Sequence, residues 1–455
     1  MNQLKIMLRD KEFLKKAAMI TIPIAIQGFL NTSINFVDTL MIGKLGETTI
    51  SAVGLSNKVF FVFSLIVFGI CSGSGILAAQ YWGNKDVKNI KRVLGLTILL
   101  SFIVSILFVI PSVLNPELVM RIFTTGDETI KIGATYLIIV SLSYPFTAIT
   151  SSYIALLRGV NQVKAPVIIS SISIVVNVTF NYMLIYGKFG APELGVAGAA
   201  IATLIARIVE CVAIFIIVYK NNGPIAAKIN EMFNYNKEFL RKYIITVFPV
   251  ILNEFMWGLG VTIYALAYGR MGDSAMAAIT ITQITEQILS VMTMSISNAA
   301  AILLGNELGA GRIKEADEHA KSLILIQGIL TVIIGVLCFA SRDLVISMFD
   351  VSSEVEVYIR KCFLVFIMYL PFKMFNTINI VGILRSGGDT KACLLIDCTG
   401  VWLIGIPMAF IGGLVLKQPI YIVYAMVLLE EIYKFVFGII RYRKKIWLRN
   451  IVSVE

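Results

Sequence analysis

Long apolar runs separated by short polar stretches recur twelve times along the chain, at approximately 17–42, 52–80, 93–113, 133–157, 165–187, 196–219, 243–268, 275–303, 320–339, 358–384, 392–414 and 420–440. Most approach or exceed about 20 residues, the length a helix needs to cross a bilayer. Runs of this kind satisfy their backbone in lipid only as helices. The pattern therefore predicts an all-α polytopic membrane protein with twelve transmembrane helices. Cationic residues crowd into alternate connections. Lys11, Lys15 and Lys16 precede the first run, Lys85, Lys88, Lys91 and Arg92 follow the second, and Lys228, Lys237, Arg241 and Lys242 follow the sixth. Arg441, Arg443, Lys444, Lys445 and Arg449 close the chain, whereas the intervening connections hold scattered charges such as Lys44, Arg121, Lys131 and Arg270. By the positive-inside rule both termini are expected in the cytoplasm, with the protein multi-pass in the plasma (inner) membrane.

Composition agrees with this and removes some alternatives. Hydrophobic residues make up 58% of the 455 positions and charged ones 15%, a low share for a soluble protein. The net charge of +11 follows from topology, so no nucleic-acid partner is expected. Cys71, Cys211, Cys338, Cys362, Cys393 and Cys398 sit in or beside apolar runs without a CxxC. They read as small buried hydrophobes, neither a disulfide framework nor a metal site. The basic N-terminus leads into a run too long for a signal-peptide core, so it is expected to stay as the first span.

The two halves of the chain resemble each other. Pro249 follows Pro23 by 226 positions, and the same offset maps Gln27 onto Asn253, Gly43 onto Gly269, Gly46 onto Gly272, Gly83 onto Gly309 and Pro145 onto Pro371. Leu157-Arg158-Gly159 returns as Leu384-Arg385-Ser386 at 227. A sustained offset is a repeat. Six spans per half is an even number, so both halves start on the same side and the repeat is parallel, a transporter architecture. The expected layout is two six-helix lobes, 1–219 and 243–455, joined by a cytoplasmic linker at 220–242.

Polar residues inside these runs carry the candidate chemistry. In the first run Gln27, Asn31, Asn35 and Asp38 are spaced four, four and three apart, which puts them on one helix face. A charged group at the centre of a bilayer costs on the order of 2.5–3.5 kcal/mol on insertion scales and marks a functional path by default. The alternative for Asp38 is an acid satisfied by polar neighbours. Burial favours a neutral carboxylic acid and a bound cation favours the ionised form, so one such group can host H⁺ or Na⁺ but not easily both. Asn177 and Asn181 share a face of the fifth run and Thr203 lies in the sixth. Their oxygens can replace water around a monovalent cation, or serve only helix–helix hydrogen bonding. Glu254, early in the seventh run, is either a functional acid or one near the cytoplasmic mouth. Gln283 and Glu286 share a turn of the eighth run, and Trp257 can line an adaptable pocket for aromatic cations. Arg207 with Glu210, and Glu430 and Glu431 with Lys434, read as internal ion pairs. His319 reads as solvated, and Asp397 is an acid without an evident role. No HExxH, GxxxxGK[ST] or GxSxG motif is present, so no enzyme is expected.

The chain resembles the multidrug and toxic compound extrusion (MATE) family along essentially its whole length. The residues that carry the resemblance are Val37-Asp38-Thr39, Gly83-Asn84-Lys85-Asp86, Arg158-Gly159, the run Pro192–Thr203 and Gly305-Asn306-Glu307-Leu308-Gly309-Ala310-Gly311. The resemblance implies that Asp38, Asn177, Asn181 and Thr203 gather into a cation site in the N-terminal lobe, joined in some members by the backbone carbonyl at the position of Ala199. Some relatives carry Asp where this chain has Asn181, so one fixed negative charge stands where those relatives have two. It further implies a monomeric secondary antiporter without cofactor, exporting organic cations and amphipathic drugs in exchange for inward H⁺ or Na⁺ as two lobes rock. Gln27, Asn35, Glu254, Trp257, Gln283 and Glu286 are its candidate substrate contacts, with possible Na⁺ at Asp38, Asn177, Asn181 and Thr203. The alternative function is a lipid-linked oligosaccharide flippase of related architecture.

Overall fold

A computed structural model of the chain describes residues 10–453 apart from 221 and 350, and apart from the side chains of 34–36. The described residues form helices α1 (Lys11–Gly43), α2 (Glu47–Gly83), α3 (Val87–Leu114), α4 (Pro116–Arg121), α5 (Asp127–Ser141), α6 (Tyr144–Gly159), α7 (Lys164–Tyr186), α8 (Gly195–Lys220) and α9 (Ile229–Met232). They continue as α10 (Lys237–Gly269), α11 (Asp273–Gly309), α12 (Ile313–Ser347), α13 (Ser353–Leu384), α14 (Thr390–Val415), α15 (Ile420–Val427) and α16 (Leu429–Arg443). Among the described residues ten helices are long and apolar enough to cross a membrane, and the bent pair α5–α6 makes an eleventh span.

Two of the twelve expected spans therefore differ from simple helices. The fourth bends by 47° between α5 and α6, where Pro145 starts α6 without an amide hydrogen to continue α5. The twelfth is divided at Leu428 into α15 and α16. Glu430, Glu431 and Lys434 are buried just beyond that break, and these charges interrupt what would otherwise be an apolar run.

The repeat is visible in the backbone. Helices α1 and α10 each have 33 residues, α2 and α11 each have 37, and both pairs start 226 positions apart. The turns repeat as well. Gly46 and Gly272 both have φ of 112°, a conformation glycine tolerates. Left-handed residues recur at Lys85 and Gly311, and at Asn161 and Gly388.

The chain divides into two compact units, one holding residues up to Ala25 with those from Leu252 onward, the other Ile26–Ile251. Both boundaries fall inside long helices, two residues after Pro23 and Pro249. In the unit Ile26–Ile251, α7 and α8 pack along much of their length, close enough that a Cβ on Gly198 would lie 2.4 Å from the Leu184 carbonyl oxygen. Phe63 and Tyr144 stack at 4.7 Å in its core.

In the other unit, α11 and α13 enclose a core of Ile279, Phe363, Phe366 and Leu370. Thr377–Leu384, Gly400–Gly405 and Ile411–Val415 are wound as π-helix, a geometry frequent at functional sites. Pro407 lies just beyond the second of these and has no amide hydrogen to donate one turn back. His319, expected in solvent, lies flat on Phe13 at 3.8 Å. Its ring nitrogens meet Glu307 at 2.7 Å and Asp10 at 3.1 Å, because the start of α1 covers the first turns of α12.

Candidate functional site

The first site is assembled by α1, α7 and α8. Asn177 and Asn181 are buried on one face of α7, as their four-residue spacing requires. The Asn181 side-chain amide donates to Asp38 Oδ1 at 2.5 Å and to Asn177 Oδ1 at 3.1 Å. Asn177 Nδ2 donates in turn to Thr203 Oγ1 at 3.5 Å. Ala199 is buried one turn before Thr203 on α8. Tyr186 donates to the Met41 carbonyl at 2.7 Å and ties the end of α1 to α7. The four polar side chains thus form one relay. Its oxygens suit a hard monovalent cation, and Asp38 is its only carboxylate. One acceptor is left over: Asn181 Oδ1 is buried and has no hydrogen-bond partner.

Gln27 shares the α1 stripe but points to other partners. It donates to Ser170 Oγ at 3.0 Å and accepts from Arg158 Nη2 at 2.6 Å. The Asn35 side chain lies outside the described residues. Arg207 pairs with Glu210 at 2.7 Å, matching the internal ion pair expected from their spacing.

The second concentration of charge lies in α10, α11, α13, α14 and α16. Glu254 meets Arg385 at 2.8 Å. Glu286 is bridged by Lys373 and accepts from the Tyr424 hydroxyl at 3.0 Å. Lys434 lies 3.3 Å from Glu430 and 3.9 Å from Asp397. Asn253 donates to Asp397 at 3.1 Å, which gives that acid its surroundings. Tyr264 donates to Glu430 at 2.5 Å, and Asn376 donates to Glu431 at 2.7 Å. Gly400 and Gly405 admit this cluster, since a Cβ on Gly400 would sit 2.8 Å from Lys434 Cε. Of the candidate substrate contacts here, Glu254 and Glu286 are buried and ion-paired, whereas Trp257 and Gln283 are exposed.

Sequence reasoning missed Tyr264, Asn376, Tyr424 and Ser170 as partners of these groups. Their residue types are ordinary in membrane helices, and the contacts join positions far apart in the chain. One signal was available: the offset of 227 that relates Arg158 to Arg385 also relates Ser170 to Asp397, whose partners Gln27 and Asn253 stand 226 apart.

Comparison with known proteins agrees with the two-fold pattern. A family model described as MatE matches residues 23–183 and again 249–411, so the matched segments begin at Pro23 and Pro249. The chain is 25% identical over 432 residues to an uncharacterized transporter, YisQ, of Bacillus subtilis, covering 95% of this chain and 94% of that protein. It is 25% identical to a probable multidrug resistance protein, NorM, of Thermotoga maritima, with coverage of 88% and 86%. Among solved structures, a MOP superfamily transporter from Pyrococcus furiosus superposes with a TM-score of 0.85 at 18% identity, over 95% of each chain. An outward-facing multidrug resistance MATE family transporter superposes with a TM-score of 0.85 at 17% identity, over 97% of each. The flippase alternative draws no support from these matches. With its long apolar helices, its repeated turns and a double match to one family model, this multi-pass membrane protein belongs to the MatE family.

Proposed function

We propose that the protein is a secondary active antiporter that exports organic cations and other amphipathic drugs in exchange for inward H⁺ or Na⁺. The observation that carries the reading is the contact of Asp38 with Asn181, a buried amide whose own carbonyl oxygen has no partner. While Asp38 is ionised it accepts from that amide. A proton turns Asp38 into a donor, which the free Asn181 oxygen can accept after the amide reverses. A sodium ion asks for the same reversal, bringing Asn181 Oδ1, Asn177 Oδ1, Thr203 Oγ1 and the Ala199 carbonyl toward it with the carboxylate. Either ion therefore rewrites the contact between α1 and α7. An ion can drive a conformational change only by binding the two states unequally, and this contact is where the difference arises.

The substrate class comes from the relatives named for multidrug resistance. Asn35, Gln27, Glu254, Trp257, Gln283 and Glu286 are the proposed substrate contacts. The protein acts as a monomer in the inner membrane with both termini in the cytoplasm. Lobes 1–219 and 243–455 rock about the linker 220–242.

The test is efflux of ethidium from proteoliposomes under an imposed Na⁺ gradient and, separately, a pH gradient. Wild type is expected to transport under at least one of them, and Asp38→Asn to lose the gradient dependence. Wild type that moves nothing under either gradient, or Asp38→Asn that keeps full coupled transport, ends the proposal.

A further inference from the structure

The lone histidine of the chain has a carboxylate at each ring nitrogen. His319 Nδ1 lies 2.7 Å from Glu307 Oε1 at the end of α11, and Nε2 lies 3.1 Å from Asp10 Oδ2 at the start of α1. The same Asp10 accepts from Phe13 N through Oδ1. The Phe13 ring covers the imidazole at 3.8 Å, with the planes 5° apart. One turn of α1 therefore holds the histidine by its edge and by its face. The apolar run of α12 begins at 320, and Lys314, Glu315, Asp317 and Glu318 precede it, so this contact lies outside the hydrocarbon.

A neutral imidazole has one N–H and one lone pair, whereas the imidazolium donates from both nitrogens. Carboxylates at opposite edges are both satisfied only by the charged ring, which also gains from the aromatic face against it. Loss of the proton leaves one donor for two acceptors, and the acceptors are unequal. The Glu307 side chain is 3% exposed, and its Oε2 is buried without a hydrogen-bond partner. The Asp10 side chain is 45% exposed, so water can take over its hydrogen bond. A buried carboxylate left without a donor costs more than an exposed one. The remaining hydrogen therefore goes to Glu307, and the lone pair of Nε2 then faces the Asp10 carboxylate and repels it.

We propose that His319 is a proton-operated clasp: charged, it holds the start of α1 to the junction of α11 and α12, and neutral, it keeps Glu307 and releases Asp10. Helix α1 runs unbroken to Gly43, so the clasp makes the freedom of the helix that carries Asp38 depend on the acidity at its first turn. Among the described residues, Glu307 and Asp10 are the charged groups that act on the ring. Lys11 and Glu12 beside Asp10 are exposed, as are Lys314 and Glu318 on α12. Glu315 pairs with Arg312, and Asp317 with Lys321 and with Lys445 of the C-terminal segment. Burial by itself lowers the pKa of His319, but Glu307 and then Asp10 outweigh it and hold it above the ordinary 6.5. The clasp is thus complete below the unfolded value and is lost as pH rises through the higher folded one. It does not rest on the direction of transport or on the coupled ion.

Purified full-length protein without a histidine tag, isotope-labelled at the histidine ring, gives a single imidazole signal by nuclear magnetic resonance. Its titration in nanodiscs should have a midpoint above 6.5, and Asp10→Asn should bring that midpoint down. Asparagine still caps a helix, so this variant removes the charge and keeps the turn. Amide hydrogen exchange over residues 13–17, corrected for the intrinsic rate, reports opening of the first turns of α1. In wild type it should rise about fivefold as pH passes the midpoint, the size of a good exposed ion pair. In Asp10→Asn and in His319→Gln it should stand at the higher level at every pH, without a step. A wild-type midpoint at or below 6.5, or exchange that shows no step at the midpoint, overturns the clasp. A step that persists in Asp10→Asn overturns Asp10 as the partner released.

Discussion

Asn181 joins the polar stripe of α1 to that of α7, and it decides how much charge the first site holds. It is 1% exposed and donates to Asp38 and Asn177 from one nitrogen. Asn181→Asp puts a second carboxylate beside the first. A cation then meets two charges, and Na⁺ should gain about tenfold in apparent affinity, or roughly 1.4 kcal/mol. Isothermal titration of the purified variant with NaCl against wild type measures this, and an unchanged affinity separates Asn181 from the ion. At the other end of α1, Asp10 accepts from Phe13 N at 2.8 Å and so caps the helix. That bond, with a smaller contribution from His319, holds its carboxyl below the ordinary value of 3.8. A lowered carboxyl stabilises the fold in full above its unfolded pKa, and the benefit is lost as pH falls through the lower folded value. Asp10→Asn should therefore melt closer to wild type below about pH 4 than at pH 7. Equal gaps at both pH values remove the charge from the cap.

At the scale of elements, glycines set the distances on which both charge clusters depend. A Cβ at position 405 would collide with the Tyr264 hydroxyl and lie 2.5 Å from Glu430 Oε2. The collision falls on a buried polar contact already closed at 2.5 Å. Gly405→Ala should cost about 1–3 kcal/mol, the usual range for overpacking, and lower the melting temperature by several degrees. Gly269→Ala is the control, because nothing lies within 4 Å of its Cβ and α10 ends there. Equal melting of the two variants would show that α14 yields at no cost. Helices α1, α2, α10 and α11 were legible in advance as apolar runs, and they extend up to six residues beyond those runs. The break in α15–α16 was not. Glu430, Glu431 and Lys434 could be read as an ion pair on a continuous helix, and the chain divides before them instead.

For the whole molecule the repeat is the controlling fact, and it bears on how the protein could work. Pro23 and Pro249 lie inside unbroken 33-residue helices, and each sits two residues before a boundary between compact units. A proline in a helix interior removes one hydrogen bond and eases bending. Pro23→Ala restores that bond in the helix carrying Asp38. It is expected to lower ethidium efflux severalfold while leaving the melting temperature unchanged or higher. Full transport by the variant would take bending of α1 out of the mechanism.

What the sequence determined by itself is what depends on local pattern. The length of ten of the twelve apolar runs specifies a single spanning helix, the offset of 226 specifies the repeat, and the spacing of Asn177 and Asn181 specifies their common face. Tertiary structure decided which polar residues meet. Asp38 reaches Asn181 across 143 positions, Gln27 turns away from the same stripe toward Arg158, and Asp397 finds Asn253 and Lys434. The physical reason is that a polar group buried in a membrane protein must find a partner. Helical periodicity gives only the face from which it searches, and the packing of the other helices decides what stands opposite.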